Sequence, residues 1–418
     1  MTEAWLKIIG VSEDGHLSAT ARDALSQAKT IFGSQRLLDL IAADASGQSV
    51  LAKAELLTWP SPFSSVYPML EALRGTSTAI LASGDPQWFG IGASLTKRFA
   101  TTEIESFPAV SSFQLAAARM GWSLQDVETF SIHGRPIETL RCVLYPGARI
   151  IALTSNGVAP HKVASLLRDA DLGRAKISVL EAMGSANESR IDGSAETWTA
   201  SVADFHVLAI EIPRDARLSH APRSSGLPDE AFEHDGKMTK AEVRAITLAS
   251  LQPYPGALLW DIGSGCGSVA IEWMRAARNA KAIGLEPHQD RRQMSVQNAN
   301  ALGVPDLTVM DAKAPEALDG LPTPDAIFIG GGLTTPHLLE TCHDALKPGG
   351  RLVANAVTLE SEAVLLDAFQ RLGGDLTRIA IHRADPVGHL TGWRPSMPVT
   401  HWVLVKAAGH AKHEDPAK

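Results

Sequence analysis

The chain has 418 residues, enough for two or more domains with cores of their own. With 45% hydrophobic and 20% charged residues it reads as a folded globular protein, and a formal net charge of -8 argues against a general nucleic-acid binder. An anionic substrate is not excluded, because basic clusters can sit on an acidic total. Cys142, Cys266 and Cys342 are far apart and form no C-x-x-C pair, so neither a zinc site nor a disulfide framework is expected. MTEAWLKIIG lacks a basic region ahead of a long apolar core, and no apolar run reaches about 18 residues. The expectation is a cytoplasmic protein without a membrane span.

In chain order, residues 5–11 read as a buried strand running into SEDG, and Ser18 caps a helix through residue 29. TIFG is a strand and SQRLLDLI a helix; AELLTWPSPFSSVYPMLEALRG is a loop followed by a helix over about 64–74. A strand over 79–82 stops at Ser83-Gly84-Asp85-Pro86, a helix follows over about 89–99, and a strand spans 102–107. Ser111 or Ser112 caps the next, alanine-rich helix. VETFSIHGRP gives a strand and a loop holding His133, Gly134 and Arg135, and RIIALTSNGVAPHKVASLLRDA gives strand, loop and helix. KISVLEAMG and FHVLAIEI are further strands, so this half is α/β, with no internal repeat. Residues 212–236, rich in proline, serine and mixed charge and without apolar periodicity, mark a linker.

The second half opens with Thr239 as a helix N-cap and Glu242 three residues on, a capping-box pattern. LLWDIGSGCGSVAIEWM (258–274) reads as strand, tight glycine turn and helix, the first unit of a doubly wound domain. KAIGLEP ends a second strand in Glu286, and a helix spans about 289–302. DLTVM ends a third strand at Asp311, and PDAIFIGGG ends a fourth at Gly330. A helix over about 336–346 stops at KPGG; RLVANAV, a helix over about 359–372, TRIAIHRAD and THWVLVKA complete the set before a polar, frayed tail.

The glycine turn carries the chemistry. Asp261, Gly263, Gly265 and Gly267 form D-x-G-x-G-x-G, with small Ser264 and Cys266 between the glycines. A dinucleotide fingerprint, G-x-G-x-x-G, leaves a wider gap for a pyrophosphate. This turn is one residue tighter and carries a carboxylate, which suits a ligand with a cationic end and no phosphate: S-adenosylmethionine. Glu286 is placed to accept hydrogen bonds from ribose hydroxyls. A nicotinamide nucleotide is the second reading. Asp261, Glu286, Asp311 and Gly330 all fall beyond the carboxyl ends of strands, where open α/β sheets bind ligands. Methyl transfer from a sulfonium is an in-line displacement of a good leaving group, so the chain must place two partners and exclude water rather than supply a nucleophile. No G-x-S-x-G motif is present. His133 or His389 is a candidate base, although a local structural role is the default for any one histidine. Arg135, Lys237, Lys240, Arg291, Arg292 and Arg394 are candidates to hold carboxylates, with Arg135 and Lys240 standing inside motifs.

On ASGDPQWFGIG (82–92), AVSSFQLAAARMGW (109–122), SIHGRP (131–136) and LTSNGVAPHKVASLL, the first half resembles the tetrapyrrole (class III) methyltransferases of cobalamin biosynthesis. SIHGR points to the subfamily that methylates C5 of the corrin precursor. On GKMTKAEVRA, DIGSGCGSVAIEW, GLEP, APEAL and DAIFIGGG, the second half resembles the enzymes that methylate C15 and remove the carboxyl group of the ring C acetate. The resemblance implies a two-lobed class III tetrapyrrole methyltransferase fold over 1–212 and a linker over 213–235. It implies a doubly wound, Rossmann-like class I methyltransferase fold over 236–408 and a flexible tail over 409–418. It further implies conversion of precorrin-6B to precorrin-8X, two S-adenosylmethionine sites, no metal, and a homo-oligomer, tetrameric through the C-terminal domain. Carried over by position, Gly84, Asp85, Ser111 and Ser112 lie near the donor in the first domain. In the second, Thr239, the turn from Gly263 through Ser264, Gly265 and Cys266 to Gly267, Glu286 and the backbone near Ala314 do so. His133, Arg135 and Lys240 are the catalytic candidates. Two positions depart from the pattern: GVSEDG, from Gly10 through Val11 and Ser12, stands in place of a glycine-rich turn, and Ala312 replaces a glycine ahead of APEAL, which offsets Asp311. The alternative is a class I methyltransferase acting on RNA or another small molecule.

Overall fold

The computed structural model describes residues 4–43, 45–217 and 223–407. The expected tail over 409–418 and residues 218–222 of the expected linker lie outside the described residues. The chain divides into two compact units, residues 1–135 with 146–216 and residues 136–145 with 217–418.

The first unit holds two sheets. Strands β1 (Leu6–Val11), β2 (Thr30–Gly33), β3 (Glu55–Thr58), β4 (Thr78–Ser83) and β5 (Ile104–Phe107) form an all-parallel sheet in the order β3-β2-β4-β1-β5. The interior strand β1 is buried along its whole length, which is why LKIIGV shows no polar alternation. Its side chains still separate by parity: Ile9 and Val11 join Leu25 and Leu37 on one face, Leu6 and Ile8 join Phe32 and Val66 on the other. Strands β6 (Glu128–Ser131), β7 (Arg149–Leu153), β8 (Lys176–Glu181), β9 (Ser189–Ser194) and β10 (His206–Glu211) form the second sheet, ordered β6-β7-β10-β8-β9. Here β6 and β7 pair in parallel and the other pairs are antiparallel. The two-lobed reading of this half is correct.

Three details differ from expectation. Strands β3 and β9 lie where a loop and no element were read, because ELLT and SRIDGS sit at sheet edges and are largely exposed, leaving no apolar alternation. The helix expected over about 89–99 shrinks to Gly92–Leu95. The Gly92 amide donates to the Pro86 carbonyl at 2.9 Å, and Phe89 takes a left-handed backbone with φ 58°, so the chain coils before it can enter a helix.

The second unit is built on β11 (Leu258–Ile262), β12 (Lys281–Leu285), β13 (Thr308–Met310), β14 (Ala326–Ile329), β15 (Arg351–Ala356) and β16 (Asp375–Ile379), then a hairpin of β17 (His382–Val387) and β18 (Leu390–Pro395), and finally β19 (Val399–Val405). Its seven-stranded sheet runs β13-β12-β11-β14-β15-β19-β16, with β19 antiparallel to both neighbours. The chain moves outward from β11 to β13 and returns to β14 on the other side of β11, which makes the end of β11 the switch point of a doubly wound sheet.

The helix Ala241–Leu251 begins one residue later than expected. Its N-cap is Lys240 rather than Thr239, and no side chain of the N-cap residue closes it. The Asp229 carboxylate accepts from the Ala241 amide at 2.9 Å instead, and Glu242 pairs with Arg383, so the capping box does not form. The region read as a linker is ordered in its last part: Leu227 and Phe232 are buried in the core of this unit. Among the described residues no helix is long and apolar enough to cross a membrane.

Candidate functional sites

In the first unit a cavity of about 500 Å³ opens between the two sheets. The ends of β1 and β4 supply Val11, Gly84 and Asp85; the start of the helix Ser112–Met120 supplies Ser111 and Ser112; the loop after β6 supplies His133 and Arg135. Six of the residues singled out from sequence therefore share one cleft. Its local geometry is tightly tied. The Asp85 carboxylate accepts from the Gln87 amide at 2.8 Å. The Ser111 hydroxyl accepts from the Gln114 amide at 3.3 Å, while Gln114 Oε1 accepts from the Ser111 amide at 2.8 Å, a closed capping box at the cleft wall. His133 Nδ1 lies 3.1 Å from the Thr154 carbonyl oxygen, which only accepts, so Nδ1 is the donor of that bond and Nε2 is the ring nitrogen left facing elsewhere.

In the second unit the turn after β11 holds three glycines with positive φ, 70° at Gly263, 59° at Gly265 and 80° at Gly267, a backbone that other residues adopt at a cost. A Cβ on Gly263 would lie 3.0 Å from the Gly331 backbone, whereas one on Gly265 would meet nothing nearer than the Lys237 carbonyl oxygen at 3.9 Å. The first glycine lets the loops after β11 and β14 touch; the second leaves space beside the turn. Glu286, at the end of β12, is buried and accepts from the Gly265 amide through Oε2 and the His288 amide through Oε1, both at 2.9 Å. Each oxygen retains a second lone pair. Asp261 Oδ2 accepts from the Ala270 amide at 3.2 Å. Burial pushes the Asp261 carboxyl up to about 7, against the pull of the Ser264 hydroxyl and the Ala270 amide.

The helix Gln289–Ala301 braces this turn with polar residues that sequence reading passed over. Ser295 Oγ donates to the Gly265 carbonyl at 2.8 Å, and Asn298 Nδ2 to the Cys266 carbonyl at 3.0 Å. Both residues are buried, and their i, i+3 spacing was the available signal. Cys266 itself packs in the core, and burial pushes its thiol up.

The remaining candidates are spread more widely. Gly330 follows β14 and donates from its amide to the Ile262 carbonyl at 3.0 Å. Asp311 follows β13 with a side chain 71% exposed and pairs with Arg292 at 2.8 Å. Ala314 precedes a cis proline. The Thr239 carbonyl accepts from Arg244. Lys240 lies 3.6 Å from Asp229, Arg291 2.8 Å from Asp235 and Arg394 3.4 Å from Asp385. The Lys237 amide donates to Asp235 at 3.0 Å, and His389 sits in the turn between β17 and β18. Of the cations proposed to hold carboxylates, four are thus already paired with an acid; Arg135 has no acidic partner among the described residues.

Two buried carboxylates bracket the second turn. That donor set fits an ammonium and vicinal hydroxyls and opposes the pyrophosphate of a nicotinamide dinucleotide. The space beside Gly265 admits a ligand to the backbone. The first cleft matches the usual volume of a small-molecule site. Among the described residues no cluster of three His, Cys, Asp or Glu side chains is placed to hold a metal ion.

Comparison with known proteins covers both units. The family described as tetrapyrrole (corrin/porphyrin) methylases matches residues 9–198, and a precorrin methyltransferase domain matches residues 230–406. A precorrin-6Y C(5,15)-methyltransferase [decarboxylating] of Sinorhizobium sp is 46% identical over 96% of this chain and 96% of its own. The protein of the same name from Mycobacterium tuberculosis H37Rv is 40% identical over 96% of this chain and 99% of its own. A probable cobalt-precorrin-6B C(15)-methyltransferase (decarboxylating) of Pyrobaculum calidifontis is 35% identical over 42% of this chain and 92% of its own. With end-to-end similarity at that level, and both halves matched in order, the chain belongs to the precorrin-6Y C(5,15)-methyltransferase (decarboxylating) family.

Proposed function

We propose that the chain methylates precorrin-6B, also called precorrin-6Y, at C5 and C15 and removes the carboxyl group of the ring C acetate, giving precorrin-8X. The observation that carries this reading is the 46% identity to a relative of that name over 96% of both chains. C5 methylation belongs to residues 1–212, and C15 methylation with decarboxylation to residues 236–408. A relative named only for the C15 and decarboxylating steps, spanning 42% of this chain, supports that division. S-adenosylmethionine, bound once in each unit, supplies an electrophilic methyl group on a sulfonium. In the first unit Gly84, Asp85, Ser111 and Ser112 hold it; in the second, Thr239, Asp261, the turn from Gly263 through Ser264, Gly265 and Cys266 to Gly267, Glu286 and the backbone at Asp311, Ala314 and Gly330.

The chain's own contribution is placement. The buried carboxylates Asp261 and Glu286 orient a cationic, hydroxylated donor, and the glycine turn lets it approach the backbone. The acceptor carbons are enamine-like, so orientation and exclusion of water replace side-chain nucleophiles. His133, whose Nδ1 is engaged by the Thr154 carbonyl and whose Nε2 is not, is the candidate to take the proton left after C5 methylation, with Arg135 lining the same cleft. Lys240 is the weaker catalytic candidate, because Asp229 already faces it. Loss of CO2 leaves its electrons in the conjugated macrocycle. The protein acts as a cytoplasmic homo-oligomer, assembled as a tetramer through the C-terminal unit.

The test is the full chain with precorrin-6B and labelled methyl donor. The expected result is two labels incorporated and one CO2 released per acceptor. Gly84→Ala removes the C5 label and Gly265→Ala the C15 label. A wild-type chain that adds one methyl group, or releases no CO2, overturns the assignment.

A further inference from the structure

We infer that Trp88 and Phe89 form an aromatic contact surface for the tetrapyrrole acceptor in the first unit, with Arg135, whose guanidinium lies over the Phe89 ring, holding one of its carboxylates. The inference rests on the functional reading above and adds the acceptor's own contacts.

The two rings line the cavity beside Gly84 and Asp85. Both rings pack against Phe113, and the Arg135 guanidinium lies over the ring of Phe89. Phe89 lies 5.4 Å and Trp88 6.0 Å, centroid to centroid, from the buried ring of Phe113, yet they stay 41% and 42% exposed. Adjacent large aromatics, held by Phe113 and partly exposed on a cavity, offer a broad conjugated ligand contact area at little cost in conformational entropy.

The backbone adds an independent reason. Phe89 sits at φ 58°, where glycine would be cheaper, although Gly90 follows immediately. The segment is held there by the Asp85 carboxylate on the Gln87 amide and by the Gly92 amide on the Pro86 carbonyl. Strain of this kind persists where the ring it presents has a use. The Arg135 guanidinium lies 5.7 Å from the Phe89 ring centroid, and among the described residues no carboxylate pairs with it. A carboxylate-rich macrocycle lying on the rings brings its acidic arms to that guanidinium, whose planar fork suits them.

The test uses the full chain and compares wild type with Phe89→Gly, Trp88→Leu, Arg135→Lys and Arg135→Gln. Phe89→Gly relieves the backbone while deleting the ring. The readouts are KM for precorrin-6B in C5 methylation, the Kd of S-adenosylhomocysteine, and C15 methylation in the same chain as a control for folding. Each ring variant should raise the C5 acceptor KM by roughly 10-fold. Homocysteine-product affinity and C15 methylation should hold. Arg135→Gln should raise KM more than Arg135→Lys does. An unmoved KM in both ring variants, with C5 methylation intact, overturns the aromatic contact surface and leaves the functional reading standing. A wild-type chain that methylates no tetrapyrrole overturns both.

Discussion

Asp261 concentrates the electrostatics of the second site in one side chain. It is 1% exposed, and burial pushes its carboxyl up to about 7, far above an unfolded aspartate. The folded chain therefore binds a proton that the unfolded chain has released, over the interval from about pH 4 to about pH 7. Stability linked to this group is fully present below the unfolded value and falls as pH rises through the folded one. Asp261→Asn removes that linkage. Between pH 4 and 7, wild type should lose stability relative to Asp261→Asn; below pH 4 the difference should be flat. Urea unfolding at stepped pH reads it, and parallel curves for the two proteins would show that Asp261 is charged in the folded state. Donor binding should respond in the opposite sense, since an ammonium beside the carboxylate favours its charged form. Affinity for the donor in wild type should strengthen as pH rises through 7, and in Asp261→Asn it should be weak and flat.

Elements were legible in proportion to how much of their pattern is written locally. β1, β11 and the helix Leu359–Leu372 appear where apolar runs or helical spacing announce them, the last with the expected limits. β3, β9 and β18 were missed because edge strands and an exposed hairpin need no apolar face. Trp88 and Phe89 were missed as cleft residues because the segment was read as the start of a helix, when its turn depends on a carbonyl at Pro86 meeting an amide at Gly92. The cap on Ala241–Leu251 was misplaced for a related reason: its acceptor, Asp229, lies 12 residues upstream. A buried ionic staple explains how that upstream segment is held. Arg244 is fully buried; it donates to Glu272 at 2.5 Å, to Asp229 at 3.3 Å and to the Leu227 and Thr239 carbonyls, and lies 4.8 Å over the Phe232 ring. Glu272 in turn accepts from the Gly226 and Leu227 amides at 2.6 and 3.0 Å. Arg244→Met leaves the buried Glu272 without its cation and should cost about 3–5 kcal/mol in the second unit. Adding Glu272→Gln should recover part of that loss. If the single variant costs no more than a surface substitution in chemical denaturation, the staple does not hold the segment.

At the scale of the whole molecule, two units with separate cores each present a cavity or turn suited to one nucleoside-type donor. The match over residues 9–198 falls on the first unit except for residues 136–145, which belong to the second, and the match over residues 230–406 falls on the second. The glycine pattern at 263–267 was readable because positive φ confines those positions to glycine. The first site carries no such signature: its six candidate residues come from three separated stretches, and only folding brings them around one cavity. The proposed pair of donor sites, one in each unit, makes a stoichiometric prediction. Calorimetric titration of the full chain with S-adenosylhomocysteine should give two moles bound per mole of chain. Gly84→Ala and Gly265→Ala should each leave one, in opposite units. Because each unit has its own core, heating should resolve separate transitions rather than one all-or-none step. Ligand at about 100 times its Kd stabilises the unit that binds it by about 2.7 kcal/mol. For units of this size that raises the transition by roughly 5–10 °C. The wild-type chain should show both transitions raised, and each variant only one. A single mole bound, or one transition that ignores the ligand in wild type, removes one of the two donor sites.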